Sequence, residues 1–227
     1  MYHYETHLHT HPVSACGANS PKAMVKAYKA MGYTGFIITD HFFNGNSGCP
    51  LHLSWDEKIN FFLSGYEAAK KEGEKNDFDV FLGWEYAVKG TELLTYGLGE
   101  DFLRSHPHCD RLTIEDYSDL VRKNGGYIAQ AHPYREAPWV INPYPVAPHL
   151  IDGIEVYNAS QPKESNQKAY GFAQLHNIAM QSGSDAHGIH TPELGGIIVN
   201  KRPDTIHDLI AAIKERKVKL ICAAPAN

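Results

Sequence analysis

The sequence predicts one α/β domain, residues 1–227, whose mainly parallel strands close, or nearly close, into a barrel. Two observations carry this expectation. Short apolar runs alternate with amphipathic helical stretches, with no internal repeat, low-complexity tract or linker between them. Histidines and carboxylates then fall at or just past the ends of several runs: His7/His9, Asp40-His41, Glu85, His132 and Asp185/His187. In a barrel of parallel strands those ends converge on one face, whereas in an open doubly wound sheet they fan out.

The elements follow in order. Glu5 to His11 reads as an extended segment in which His7, His9 and, if the strand persists, His11 share a side, because side chains alternate with period two. Ser20-Pro21 caps a helix carrying Met24, Val25, Tyr28 and Met31 at helical spacing and closed by Gly32. The apolar run from Gly35 to Thr39 reads as a buried strand. Ser54-Trp55-Asp56-Glu57 is a capping box, and the helix after it buries Ile59, Phe62, Leu63, Tyr66 and Ala69 before ending near Gly73. Strands are expected at Asp79–Trp84 and Leu93–Leu98. A helix from Thr113 stops at Gly125-Gly126 before the strand Tyr127–Ala131. Four prolines between Pro138 and Pro148 predict an irregular loop. Ile151–Val156 and Ile178–Ser182 are strands flanking a helix from Pro162 to His176. Gly196–Val199, a helix capped by Asp204 and a last strand from Val218 to Cys222 complete the chain.

Composition narrows the function classes. A net charge of -5 argues against a strongly basic nucleic-acid surface, and 14 histidines against 4 cysteines point to nitrogen and oxygen metal ligands. Cys16, Cys49, Cys109 and Cys222 form no close pair, so neither a zinc ribbon nor a disulfide framework is suggested. No signal-peptide pattern or run of 18 apolar residues occurs, which makes a cytoplasmic location the expectation. The strand-end set exceeds the three or four protein ligands that one zinc-like ion needs, and Glu85 or Asp185 could bridge two or three ions. A metal-dependent hydrolase follows; spacing alone leaves phosphoesterase, sugar isomerase and amidohydrolase chemistry open.

The set His7-Leu8-His9, Ile38-Thr39-Asp40-His41, Gly83-Trp84-Glu85, Ala131-His132-Pro133 and Gly183-Ser184-Asp185-Ala186-His187 resembles the motif series of the PHP (polymerase and histidinol phosphatase) superfamily. The resemblance implies a distorted (β/α)7 TIM-like barrel with two or three divalent ions, zinc, manganese or iron, hydrolysing phosphoesters. It implies that His7, His9, Glu85 and Asp185 hold the first ion, that Glu85 and His132 share the second, and that His41 and His187 hold the third. Two positions depart from the family pattern. Ala15-Cys16 stands where members often carry a histidine or aspartate, with His11 the nearest substitute. Glu92 stands where members commonly carry a histidine ligand of the second ion, which leans the preference toward harder metals.

Around this set, Asp40 is expected to orient a ligand histidine. Arg135, beside His132, could grip a phosphate through its planar fork or form a surface salt bridge. Glu155 is expected to pack or support a ligand rather than bind metal, His106 and His108 to be loop residues, and Cys16 to be a buried inert thiol. The expected substrate is a small phosphomonoester such as histidinol phosphate or a nucleotide, with nucleic acid less favoured and no membrane association. An amidohydrolase ranks lower because the candidate strand ends carry no metal-bridging lysine. A non-catalytic metal-binding regulatory barrel is the third reading.

Overall fold

The computed structural model describes residues 1–190 and 193–223. Its strands, in chain order, are β1 (Tyr2–Glu5), β2 (Gly35–Ile38), β3 (Asp79–Val88), β4 (Thr91–Tyr96), β5 (Tyr127–Gln130), β6 (Gly153–Asn158), β7 (Ala179–Gly183), β8 (Leu194–Val199) and β9 (Lys219–Ala223). Six helices connect them: α1 (Pro21–Ala30), α2 (Trp55–Lys75), α3 (Glu100–Ser105), α4 (Ile114–Lys123), α5 (Lys163–His176) and α6 (Ile206–Lys214). Ser54 and Glu57 make the expected reciprocal cap of α2. Thr205 rather than Asp204 caps α6, in a second capping box with Asp208.

The strands lie in one sheet of order β7-β6-β5-β4-β3-β2-β1-β8-β9. It is an α/β barrel, nearly closed, but its pairing is mixed and, among the described residues, no α-helix separates β3 from β4, β5 from β6 or β7 from β8. β3 and β4 are joined only by Lys89-Gly90, both at positive φ (52° and 85°), and a two-residue turn of this kind requires antiparallel strands. β8 pairs antiparallel with both β1 and β9. The other expected strands and helices are present. His106 and His108, expected in a loop, follow the short helix α3 and precede a single 3-10 turn at Cys109–Arg111.

The expected opening strand is shorter than its pattern suggests: β1 stops at Glu5, and His7 and His9 lie just past its end. The chain still keeps its place in the wall there. Thr39 N donates to Leu8 O (3.1 Å), and His9 N donates to Ala186 O (2.8 Å) across a parallel bridge between Leu8 and Ala186. The segment after β1 therefore meets the segment after β7 directly at the mouth, while β8 and β9 wedge the two apart lower down. Ser182 of β7 spans that wedge, its Oγ donating to Ile221 O (2.5 Å) and accepting from Gly196 N (3.1 Å).

Two polar plugs support the mouth from below. Tyr96 OH donates to Thr6 O (2.8 Å) and accepts from Gln181 Nε2 (2.9 Å), while Tyr127 OH donates to Gln181 Oε1 (3.1 Å). Glu5, fully buried, accepts from Thr6 N, His7 N and Ser184 N (each 2.9 Å), from Tyr28 OH (3.1 Å) and from the Ser184 hydroxyl. Burial pushes its carboxyl up to about 7 despite those donors. Gly183 closes the arrangement, because a Cβ there would lie 2.6 Å from His7 Cβ and strike the Glu155 carboxylate. Gly183→Ala is expected to lower stability by about 1–3 kcal/mol through overpacking, read by denaturant unfolding, and to loosen the seat of His7.

Candidate metal centre

His7, His9, His41, His132, Asp185 and His187 leave the wall just past strand ends, whereas Glu85 and Glu92 lie within the β3–β4 hairpin. Alternation after β1 turns His7 and His9 the same way, so that their Nε2 atoms stand 3.2 Å apart. Glu85 sits in β3 with Oε1 3.2 Å from His7 Nε2 and Oε2 3.5 Å from His9 Nε2. Asp185, just beyond β7, puts Oδ1 3.5 Å from His7 Nε2 and 3.2 Å from His9 Nε2. His7, His9 and Asp185 thus bring donor atoms within 4.8 Å of one another, and so do His7, Glu85 and His132. His132, after β5, places Nε2 3.1 Å from Glu85 Oε1 and 3.3 Å from Glu92 Oε2. On the other side, His9, His41 and His187 bring ring nitrogens within 4.8 Å of one another. All these side chains are buried except that of His187, which is 35% exposed.

The set is wired from behind. Glu155 faces His7 Nδ1 at 3.2 Å, which leaves Nε2 to face the cluster, and the same carboxylate accepts from His132 N (2.9 Å) and Asn158 Nδ2 (2.7 Å). Asp40 touches no histidine side chain by hydrogen bond. It accepts from Thr10 N (2.5 Å), Thr10 Oγ1 (2.7 Å) and Ser14 Oγ (2.7 Å), and Ser14 Oγ in turn lies 3.2 Å from His9 Nδ1 and accepts from His41 N. The expected contact between Asp40 and a histidine therefore becomes a relay through Ser14, a functional residue that no spacing in the sequence signals. His132 and Asp185 both adopt positive φ (25° and 52°), a strained choice for side chains that must turn inward at a strand end.

Three other expectations change. His11 is exposed and lies outside the cluster, because the chain turns away at residues 11–13 rather than continuing as a strand. Cys16 fills that side instead. It is partly buried rather than the buried thiol expected, and although burial opposes it, the neighbouring His187 and His41 imidazoles lower its thiol to about 6. Arg135 is neither free nor a plain surface pair: its guanidinium sits 3.2 Å from Glu92 Oε2 and 3.3 Å from His132 Nε2.

Electrostatics fit a cation. Burial would raise the Glu85 and Asp185 carboxyls, yet neighbouring His7, with His41 beside Glu85 and His9 beside Asp185, holds both well below the usual range. Burial opposes charge on His7 and His41, but the carboxylates hold His7 well above its ordinary value and lift His41 to about 11. His9, buried and beside His41, falls to about 3. Glu92 is raised by burial and by the charge of Glu85. His41 Nδ1 lies 2.9 Å from Glu85 Oε2 without a hydrogen bond, so these two atoms address a common point rather than each other. Buried carboxylates compensated by protons on imidazoles, with an orphaned ring nitrogen among them, are the donor set a divalent ion requires.

Residues 5–177 match the family model for the PHP domain, and residues 163–218 match that for a PHP-associated region. The chain belongs to the PHP family. Solved structures share the fold. A two-domain protein from Bacteroides vulgatus, described as containing a predicted PHP-like metal-dependent phosphoesterase, has a TM-score of 0.74 at 14% identity over 98% of this chain. The PHP chain spans only 65% of that protein. An amidohydrolase from Chromobacterium violaceum matches with a TM-score of 0.59 at 14% identity, covering 99% of this chain and 98% of that one. A lesion-specific endonuclease from Pyrococcus furiosus matches at 0.63 and 15%, over 96% of this chain and 57% of that one. No curated protein matches the sequence.

Because protons on His7 and His41 occupy the place of a cation, zinc uptake by this PHP domain is expected to release protons. Lowering the pH favours the protonated rings, so apparent affinity falls from pH 8 to pH 6, by about tenfold per pH unit for each proton displaced; calorimetry in buffers of different ionisation enthalpy reads it. Glu155→Gln keeps the size of the side chain but removes the charge behind His7, and is expected to weaken zinc affinity about 10–100-fold with the circular dichroism spectrum retained.

Proposed function

We propose that the chain is a metal-dependent phosphoesterase acting on a small phosphate ester, with two or three divalent ions held around Glu85. The observation that carries this reading is the convergence of His7, His9, His41 and His132 on the two oxygens of one buried carboxylate, Glu85, with Asp185 beside His7 and His9 and Glu92 beside His132. His7, His9, Glu85 and Asp185 would hold the first ion, Glu85, His132 and Glu92 the second, and His41 and His187, with Cys16, the third. Nitrogen and oxygen donors suit zinc, manganese or iron, and Glu92 leans the second position toward the harder metals. When bound, such ions polarise a phosphate and make water nucleophilic near neutral pH.

The chain's own residues do the rest. Glu155 holds the His7 tautomer that turns Nε2 inward, and Asp40, through Ser14, does the same for His9. The burial of Glu85 and Asp185 keeps bulk water from competing for their oxygens. Arg135 pairs with Glu92, and once Glu92 is engaged elsewhere its guanidinium is available for a phosphate oxygen. A cytoplasmic setting accords with four unpaired thiols, and no described helix is long and apolar enough to cross a membrane. The fold of an amidohydrolase keeps that second reading in view, but here a glutamate rather than a lysine stands between the ion positions.

Purified protein is expected to carry about two to three equivalents of metal by elemental analysis. With zinc or manganese it should hydrolyse p-nitrophenyl phosphate or histidinol phosphate in preference to bis-p-nitrophenyl phosphate. His9→Ala and Glu85→Ala should each lower kcat/KM by about a hundredfold or more, with retained circular dichroism. Full activity in both variants would sink the assignment. Metal bound without hydrolysis of any ester would favour the non-catalytic regulatory barrel.

A further inference from the structure

Beside the cluster, the mouth carries aromatic side chains that the proposed reaction does not use. In the loop after β5, Trp139 is 61% exposed and Tyr144 63% exposed. Tyr134 meets Tyr144 edge to face, with ring centroids 6.4 Å apart. Cations accompany the rings. The Arg135 guanidinium that contacts Glu92 and His132 also lies over Trp139, 5.6 Å from its centroid, and Lys168 of α5 lies 6.0 Å from the centroid of Tyr134. One guanidinium therefore links the proposed metal corner to an open indole face.

The backbone beneath these rings is held in place. Ile141 N donates to Lys89 O (3.4 Å), and Val146 N donates to Gln130 Oε1 (2.8 Å). Gly90 packs so closely that a Cβ would lie 2.6 Å from Val140 Cα and 2.7 Å from Trp139 O. Large rings are ordinarily covered, so exposing them on an anchored loop beside a phosphate site favours a ligand with a flat face. Cations for phosphate next to aromatic faces for a planar ring are the pairing that nucleotides use.

We propose that Trp139, with the Tyr134–Tyr144 pair, forms a subsite for the base of a nucleoside phosphate whose phosphate lies at the Glu85–His132–Glu92 corner. The subsite rests on the phosphoesterase reading for the placement of the phosphate. The test mixes zinc-loaded protein with adenosine 5′-monophosphate or with ribose 5-phosphate, which lacks the base, and follows tryptophan emission and phosphate release. Trp139 is the exposed tryptophan, Trp84 being fully buried and Trp55 partly buried. The nucleotide should quench emission at once, ribose 5-phosphate should not, and the quench should vanish in Trp139→Leu. The nucleotide should also be favoured about tenfold in kcat/KM, the effect of one base–aromatic stack, with the ratio falling toward one in Trp139→Leu and in Tyr144→Leu. Equal quenching or equal kcat/KM for the two esters, or a preference that survives in both variants, would overturn the subsite. Quenching without hydrolysis of either ester would uphold the subsite and refute the phosphoesterase reading. Hydrolysis of both without preference would refute the subsite alone.

Discussion

The structure depends on the cost of crowding carboxylates in a dry mouth. Glu85, Asp185, Glu92 and Glu155 are all buried within reach of the same three histidine side chains, His7, His9 and His132, or of one another through them. Such charges are tolerated only when something positive stands among them, because desolvation would otherwise neutralise them. Protonated His7 and His41 meet that demand in part. Much of the local architecture follows from it. Left-handed backbone at His132 and Asp185, the triple role of Glu155 and the five donors around Glu5 each hold a polar group at an angle that ordinary strand geometry does not reach.

Residues that lie on strand ends are legible in the amino-acid sequence itself. His-x-His in an extended segment states its own geometry, and the apolar run Phe81-Leu82-Gly83-Trp84 points to Glu85, although the strand runs on to Val88 and only its parallel pairing with β2 stops, at Leu82. Residues that act through a turn are not legible in the same way. His11 matches the alternation of His7 and His9 as well as any residue could, but alternation holds only while the backbone stays extended, and it turns at residues 11–13. The same turn carries Ser14 to Asp40 and Cys16 to His187 and His41, contacts that no fixed spacing encodes. Likewise, apolar runs do not reveal strand direction. The mixed pairing of β3 with β4 and of β8 with β1 and β9 follows from a two-residue turn and from a late insertion into the wall, and each depends on partners distant in sequence.

The wedge of β8 and β9 separates two demands on the barrel. At the mouth, the Leu8–Ala186 bridge draws the segments after β1 and β7 together and so fixes His7, His9 and Asp185 relative to one another. Lower down, the gap admits two further strands and lets α6 contribute Leu209, Ile210 and Ile213 to a core with Tyr96 and Tyr127. Geometry at the site and volume in the core are thus set by different pairings.

The Lys89-Gly90 turn has a wider role than reversing the chain. Its backbone is the floor on which the loop of Trp139 and Val140 rests, so the height of the indole above the pocket is decided by a residue with no side chain at all. The same reversal joins the strands that carry Glu85 and Glu92, so its length sets the seat of the indole and the register of two cluster carboxylates together. One hairpin thereby couples the aromatic rim to the acidic corner, and neither can be reshaped without the other feeling it.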